Sequence, residues 1–124
     1  MFDSKNMLIE IGGCRGCGKT VQLLKLAAEN GWIVVSPCSD AHKETAKCLG
    51  LDNLEIIDYA NFLHKATVGV NKKLAVDELD FLLDYIGENK SLYNELTNKI
   101  IACTYYDECK DIVRLFAQHR KNRN

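Results

Sequence analysis

The sequence predicts an α/β fold with three layers, in which a mostly parallel sheet of about four or five strands has helices on both faces. Three observations support this prediction. Short apolar segments alternate with stretches of helical periodicity, which is typical of parallel strands joined by crossover helices. A glycine-rich loop joins the first apolar segment to the first helical one. The length of 124 residues corresponds to one domain.

The predicted elements follow one another along the chain. Apolar segments predict strands at residues 7–11, 32–35, 54–57, 73–78 and 100–105, and we expect the third to be a short edge strand. Helical periodicity predicts helices at residues 21–30, 39–49, 59–66 and 79–86, and a last helix that begins near Asp107. Residues 68–72 are expected to form a loop. The predicted domain covers residues 1–118, and the basic residues 119–124 are expected to be a disordered tail.

The loop after the first strand carries a sequence motif. Every fixed position of G-x-x-x-x-G-K-[ST] is present in the stretch Gly13, Cys14, Arg15, Gly16, Cys17, Gly18, Lys19 and Thr20. In this motif the glycines let backbone N–H groups surround a phosphate, and the following helix directs its positive end at the same anion. We predict that the stretch binds the phosphates of a nucleoside triphosphate. The alternative is a glycine-rich turn that binds nothing.

The last two residues of the motif have more specific predicted roles. The Lys19 ammonium can reach the β- and γ-phosphates, which makes Lys19 a candidate catalytic residue. The Thr20 hydroxyl can ligate Mg²⁺. We expect Lys19 to be partly exposed when no nucleotide is bound.

A second motif is an apolar strand that ends in two acids. Asp77 follows Leu74-Ala75-Val76, and we predict that it holds Mg²⁺ through water at the carboxyl edge of the sheet, close to Thr20. Glu78 comes next and is the predicted general base that polarises the attacking water. The alternative is a simple helix start, where acids are favoured for electrostatic reasons alone.

With these two motifs the chain resembles the P-loop nucleoside triphosphatases, in the class with a catalytic glutamate. The resemblance implies a P-loop fold, ATP as the ligand and Mg²⁺ as the cofactor. GTP is disfavoured because the guanine-reading N-K-x-D element lacks its acid at residues 71–74 and 98–101.

Over roughly the first thirty residues, the chain is also similar to small ATPases encoded by bacteriophages of Firmicutes. This resemblance implies a role in phage DNA metabolism or packaging, or in countering the host. Cys14 and Cys17 stand where such loops usually carry Thr or Ser, which removes a hydroxyl donor from the predicted phosphate contacts.

Composition limits the remaining possibilities. The formal net charge is −1, so no strong overall field selects nucleic acid or a membrane. No apolar run is long enough to span a membrane, and the start lacks the apolar core of a signal peptide. We therefore expect a cytoplasmic protein, located in a bacterial host cell if a phage encodes it. The six cysteines are expected to be reduced thiols, because a single C-x-x-C pair inside the loop is weak evidence for zinc.

Two main functions fit this sequence. The first is a small Mg²⁺-dependent ATPase that acts on or near single-stranded DNA, as a monomer or as an oligomer. The second is a P-loop module with little or no catalysis that docks on another protein, for example a host-defence or replication factor. A third function, that of a nucleotide kinase, is disfavoured because no lid is visible.

Polar residues outside the two motifs have simpler alternatives. Thr104 is either a group that orients water or an ordinary β-branched strand residue. Arg114 and Arg120 fit either an arginine finger or a solvated helix face. The histidines are scattered and suggest no ligand set; they are His42, His64 and His119.

Overall fold

A parallel β-sheet forms the centre of the protein. The computed structural model describes residues 8–14, 18–51, 53–65, 73–97 and 99–123, and within these ranges the sheet has five strands. The strands are β1 (Ile9–Gly13), β2 (Ile33–Ser36), β3 (Ile56–Asp58), β4 (Leu74–Val76) and β5 (Ile100–Tyr106). Every pair of neighbouring strands is parallel. The predicted α/β class and parallel sheet are therefore confirmed.

Helices cover both faces of this sheet. They are α1 (Lys19–Asn30), α2 (Ser39–Cys48), α3 (Tyr59–Lys65), α4 (Leu79–Ile86), α5 (Lys90–Thr97) and α6 (Lys110–Arg123). Successive strand residues point to opposite faces, so Val34 packs in one apolar cluster, with α1 and α2, and Val35 in the other, with α3 to α6. The two clusters on opposite faces agree with the predicted three-layer arrangement.

The order of the strands in space is β1-β5-β4-β2-β3. The chain crosses from β1 to β2 through α1 and later returns to fill the gap with β4 and β5. As a result, β5 separates β1 from β4, and the predicted edge strand β3 does lie at an edge. Because all strands are parallel, the residues that follow β1, β2, β4 and β5 meet along one border of the sheet.

The pairing of β4 with β5 contains an irregularity. Leu74 pairs with Ile100, but the next residue, Ala75, pairs with Ala102, so β5 has one extra residue at this point. Such a bulge shifts the register of everything that follows it. Val76 then lies opposite Cys103, and the next residue on β5, Thr104, comes beside the end of β4.

Most predicted elements are present, with shifted ends. The chief omission is α5, which the periodicity did not indicate. The strand expected at residues 73–78 is only Leu74–Val76, because Asp77 and Glu78 form a turn. The loop expected at residues 68–72 and the last residue expected in the third helix, Ala66, lie outside the described residues.

Residues 119–123, which were expected to belong to a disordered tail, are helical in the structure. Helix α6 continues to Arg123, so the boundary predicted at residue 118 lies inside a helix. Val113, Phe116 and Arg120 recur at helical spacing on its inner face, and each is at most 1% exposed. This buried stripe explains why the helix does not end earlier.

Candidate functional site

The two sequence motifs meet at the carboxyl border of the sheet. Thr20 lies in the first turn of α1, and Asp77 directly follows β4. The Thr20 Oγ1 donates a hydrogen bond to Asp77 Oδ1 at 3.1 Å, although 57 residues separate them along the chain. The predicted proximity of Thr20 and Asp77 is therefore confirmed.

Asp77 is buried, and several polar groups surround it. Its residue exposure is only 2%. Besides Thr20, the Thr104 hydroxyl donates to Oδ1 at 2.7 Å, and His42 Nε2 lies 3.5 Å from Oδ2. The Tyr59 hydroxyl donates to the Asp77 backbone carbonyl at 2.5 Å. A carboxylate so enclosed has a defined orientation, which a metal ligand requires.

Thr104 is a structural link between the two acids. Its side chain is fully buried, and its hydroxyl donates to Asp77 Oδ1 while it accepts from the Glu78 backbone N–H at 2.8 Å. The interpretation of Thr104 as an ordinary strand residue does not account for these contacts. The β4–β5 bulge makes them possible, because it brings Thr104 beside Asp77.

The backbone of Glu78 has an unusual conformation. Its φ of 57° and ψ of 66° lie in the left-handed region, and no other non-glycine among the described residues has a positive φ. This conformation costs a non-glycine residue free energy and persists where neighbours hold it. Here Thr104 holds the N–H, and the Tyr59 hydroxyl donates to the Glu78 carbonyl at 2.9 Å.

The Glu78 carboxyl is not used to cap a helix. Glu78 occupies the N-cap position of α4, yet its side chain makes no capping hydrogen bond. Burial, and next the charge of Asp77, raise the pKa of Glu78, while a hydrogen bond from Tyr106 lowers it. A carboxyl with a raised pKa and a position beside the predicted metal ligand is suited to accept a proton.

Lys19 is held inside the site and is not partly exposed as expected. It is only 8% exposed. Its Nζ donates to the Cys14 carbonyl at 2.5 Å and lies 4.4 Å from the centre of the Tyr106 ring. Lys19 is thus held by the backbone of the glycine loop and by the face of the Tyr106 ring, which attracts cations.

The described part of the glycine loop shows why it contains glycines. Gly13 and Gly18 have φ values of 155° and 81°, which favour glycine. The preceding Gly12 is needed for a different reason, because a Cβ there would lie 2.6 Å from the Tyr105 ring. The predicted phosphate contacts of Arg15, Gly16 and Cys17 lie outside the described residues.

Sequence reasoning missed four side chains at this border: Ser36, His42, Tyr59 and Tyr106. Three of them end or follow a strand, since Ser36 ends β2, Tyr59 follows β3 and Tyr106 ends β5. The rule that ligands bind at the carboxyl ends of parallel strands could have found these three. His42 lies inside α2, and its sequence position alone carries no such signal.

The oxygen donors at the site fit Mg²⁺ and a triphosphate. Mg²⁺ in nucleotide sites is usually held by one or two carboxylates, hydroxyls, waters and phosphate oxygens, and the Thr20 hydroxyl and the Asp77 carboxylate are groups of this kind. Among the described residues, no group of three or more His, Cys, Asp or Glu side chains is arranged to hold a metal. The thiols of Cys38, Cys48, Cys103 and Cys109 form no disulfide.

The two arginines differ from each other. Arg114 is exposed, in agreement with a solvated helix face, but Arg120 is 1% exposed, and burial lowers its pKa.

No helix in the described ranges has both the length and the apolar character to cross a membrane. Comparisons of the chain with protein-family models, with curated proteins and with solved structures find no match.

Proposed function

We propose that this protein is a small ATPase of the P-loop class, which binds Mg²⁺ and ATP at the carboxyl border of its sheet. The observation that carries the proposal is the 3.1 Å hydrogen bond between Thr20 and Asp77. The two residues come from separate motifs, and each motif by itself predicts a ligand of the same metal ion. A glycine-rich turn that binds nothing gives no reason for Thr20 and Asp77 to be in contact.

Each side chain then has a role that its surroundings support. Thr20 and Asp77 would hold Mg²⁺, which would offset the charge of the β- and γ-phosphates. Lys19 leaves the Cys14 carbonyl and contacts the terminal phosphates. Glu78 orients the attacking water and accepts its proton, for which a raised pKa is favourable.

Calorimetry on the nucleotide-free protein tests the binding part of the proposal. The parent should bind ATP in the presence of Mg²⁺, and Lys19→Ala should weaken the binding. Lys25→Ala is a matched control, because Lys25 lies on the same helix and is exposed. If the parent binds no ATP up to about millimolar concentration, where the binding free energy is only about 4 kcal/mol, the proposal is wrong.

Steady-state hydrolysis tests the catalytic part. Glu78→Gln should bind ATP as the parent does and hydrolyse it about a hundredfold more slowly, because the amide keeps the shape but accepts no proton. The assay should be run with and without single-stranded DNA, since a role in phage DNA metabolism predicts stimulation by DNA. Equal turnover of Glu78→Gln and the parent would remove Glu78 from the mechanism.

One observation favours the alternative of a binding module that docks on another protein. Large apolar side chains are exposed on two neighbouring helices, Phe81 and Tyr85 on α4 and Ile112 and Leu115 on α6, at 49–67% exposure. Helix α4 begins directly after Glu78, so a protein that covers this surface would lie close to the site. ATP binding by the parent without any turnover would support this second function over the first.

A further inference from the structure

His42 connects Asp77 to a second buried side chain. Its ring lies between the ends of β2 and β4: Nδ1 is hydrogen-bonded to Ser36 Oγ, and Nε2 lies 3.5 Å from Asp77 Oδ2. A carboxylate can only accept, so the tautomer of His42 with its proton on Nε2 is the one that can donate toward Asp77. The His42 side chain is 15% exposed, and that of Asp77 is 3% exposed.

Ser36 is itself fixed in place. It is fully buried at the end of β2, and its Oγ accepts a hydrogen bond from the Cys38 N–H at 3.0 Å. The backbone of His42 is held in the first turns of α2, where its N–H bonds to the Cys38 carbonyl at 3.1 Å. Both ends of the imidazole are therefore constrained, and its orientation follows from the fold around β2.

The two carboxylate oxygens of Asp77 have different partners. The hydroxyls of Thr20 and Thr104 bond to Oδ1, whereas among the described residues His42 is the side chain that faces Oδ2. Groups that contact a metal-binding side chain from behind set its orientation and its affinity for the ion. Among the described side chains, His42 is therefore the one placed to hold the second oxygen.

We propose that His42, held by Ser36, is a positioning residue that orients the Asp77 carboxylate toward Mg²⁺. The inference rests on the proposed function, since it concerns the metal ligand of the same site. Loss of such a partner typically lowers metal affinity by about 10- to 100-fold. His42 is not among the residues assigned to the phosphates. Its loss should therefore change the Mg²⁺ requirement for nucleotide binding more than it changes nucleotide binding in the absence of Mg²⁺.

Three substitutions of His42 separate positioning from simple packing. His42→Gln places an amide N–H near the position of Nε2 and keeps a donor toward Asp77. His42→Asn is shorter, so it can contact Ser36 but does not reach Asp77, and His42→Ala does neither. His119→Ala is a matched control, because His119 contacts Asn94 and Tyr93 on another part of the surface.

The measurement is a Mg²⁺ titration of binding of a fluorescent ATP analogue, together with a thermal melt of each variant. His42→Ala and His42→Asn should need about 10-fold more Mg²⁺ for half-saturation, while His42→Gln and His119→Ala stay close to the parent. An equal Mg²⁺ requirement in His42→Ala and the parent overturns the inference. The inference is also overturned if the Mg²⁺ requirement rises equally in all three His42 variants and changes only in step with their melting temperatures. If the parent itself shows no Mg²⁺-dependent binding, the proposed function fails and the inference fails with it.

Discussion

Replacing Thr104 with valine tests the link between the two acids of the site. Valine has nearly the same shape as threonine, so the substitution removes the hydroxyl and leaves the packing of β5 in place. The Thr104 hydroxyl makes two hydrogen bonds, one to Asp77 Oδ1 at 2.7 Å and one from the Glu78 N–H at 2.8 Å. Thr104→Val loses both; the first bond is buried, and the second is partly buried.

The magnitude follows from these two contacts. A hydrogen bond to a charged acceptor such as Asp77 contributes about 1.5–3 kcal/mol, and an N–H left without a partner costs about 1–3 kcal/mol. Losses at neighbouring groups are not additive, so we expect Thr104→Val to lower the free energy of unfolding by about 3 kcal/mol. Thr104→Ser keeps the hydroxyl and removes one buried methyl, which should cost only about 1 kcal/mol.

Urea denaturation of the parent, Thr104→Val and Thr104→Ser measures the difference. Thr104→Val should also slow ATP hydrolysis more than Thr104→Ser does, because Glu78 then loses a contact that holds its strained backbone. A serine variant that is as unstable as the valine variant, or less stable, would refute the reasoning, since the cost would then come from packing and not from the hydroxyl.

Three further predictions concern neighbours of the same border. Gly12→Ala should destabilise the fold by about 1–3 kcal/mol in a urea denaturation, because the new Cβ would lie 2.6 Å from the Tyr105 ring; an unchanged unfolding curve would contradict this packing. Tyr59→Phe should lower the free energy of unfolding by about 1–2 kcal/mol, since its hydroxyl donates to two backbone carbonyls, and a neutral substitution would show that these bonds contribute nothing. The pKa of Glu78 is raised from 4.5, first by burial and next by Asp77. The folded chain therefore binds the proton of the Glu78 carboxyl more tightly than the unfolded chain does. As the pH rises from about 4.5 toward the folded-state pKa, this difference lowers the free energy of unfolding. Glu78→Gln should flatten that fall in denaturation curves recorded between about pH 4 and 7, and parallel pH profiles for the two proteins would contradict it.

The core of the site could be predicted from local sequence. Motif spacing identified Thr20, and an apolar strand followed by an acid identified Asp77. In a parallel sheet the strand ends meet at one border, so the two residues were expected to be close, and they are 3.1 Å apart. The prediction succeeded because each residue's place depends on its own strand or loop and on the common direction of the strands.

Other features depend on pairings between distant parts of the chain. The extra residue in β5 opposite β4 brings Thr104, and not Cys103, beside Asp77. No local pattern predicts this bulge, because it results from packing on both strands. The same holds for the left-handed backbone of Glu78, which Tyr59 at the start of α3 and Thr104 on β5 stabilise.

The sequence alone was sufficient for the fold class, the parallel strand direction and the proximity of Thr20 and Asp77 at the carboxyl border, because hydrophobic periodicity and turn chemistry act over short segments. Only the folded chain determined how the site is enclosed. Lys19 is buried by Tyr106 and the Cys14 carbonyl, and His42 reaches Asp77 from a helix that follows a different strand. These contacts depend on strand order and register, which are set by the packing of the whole sheet.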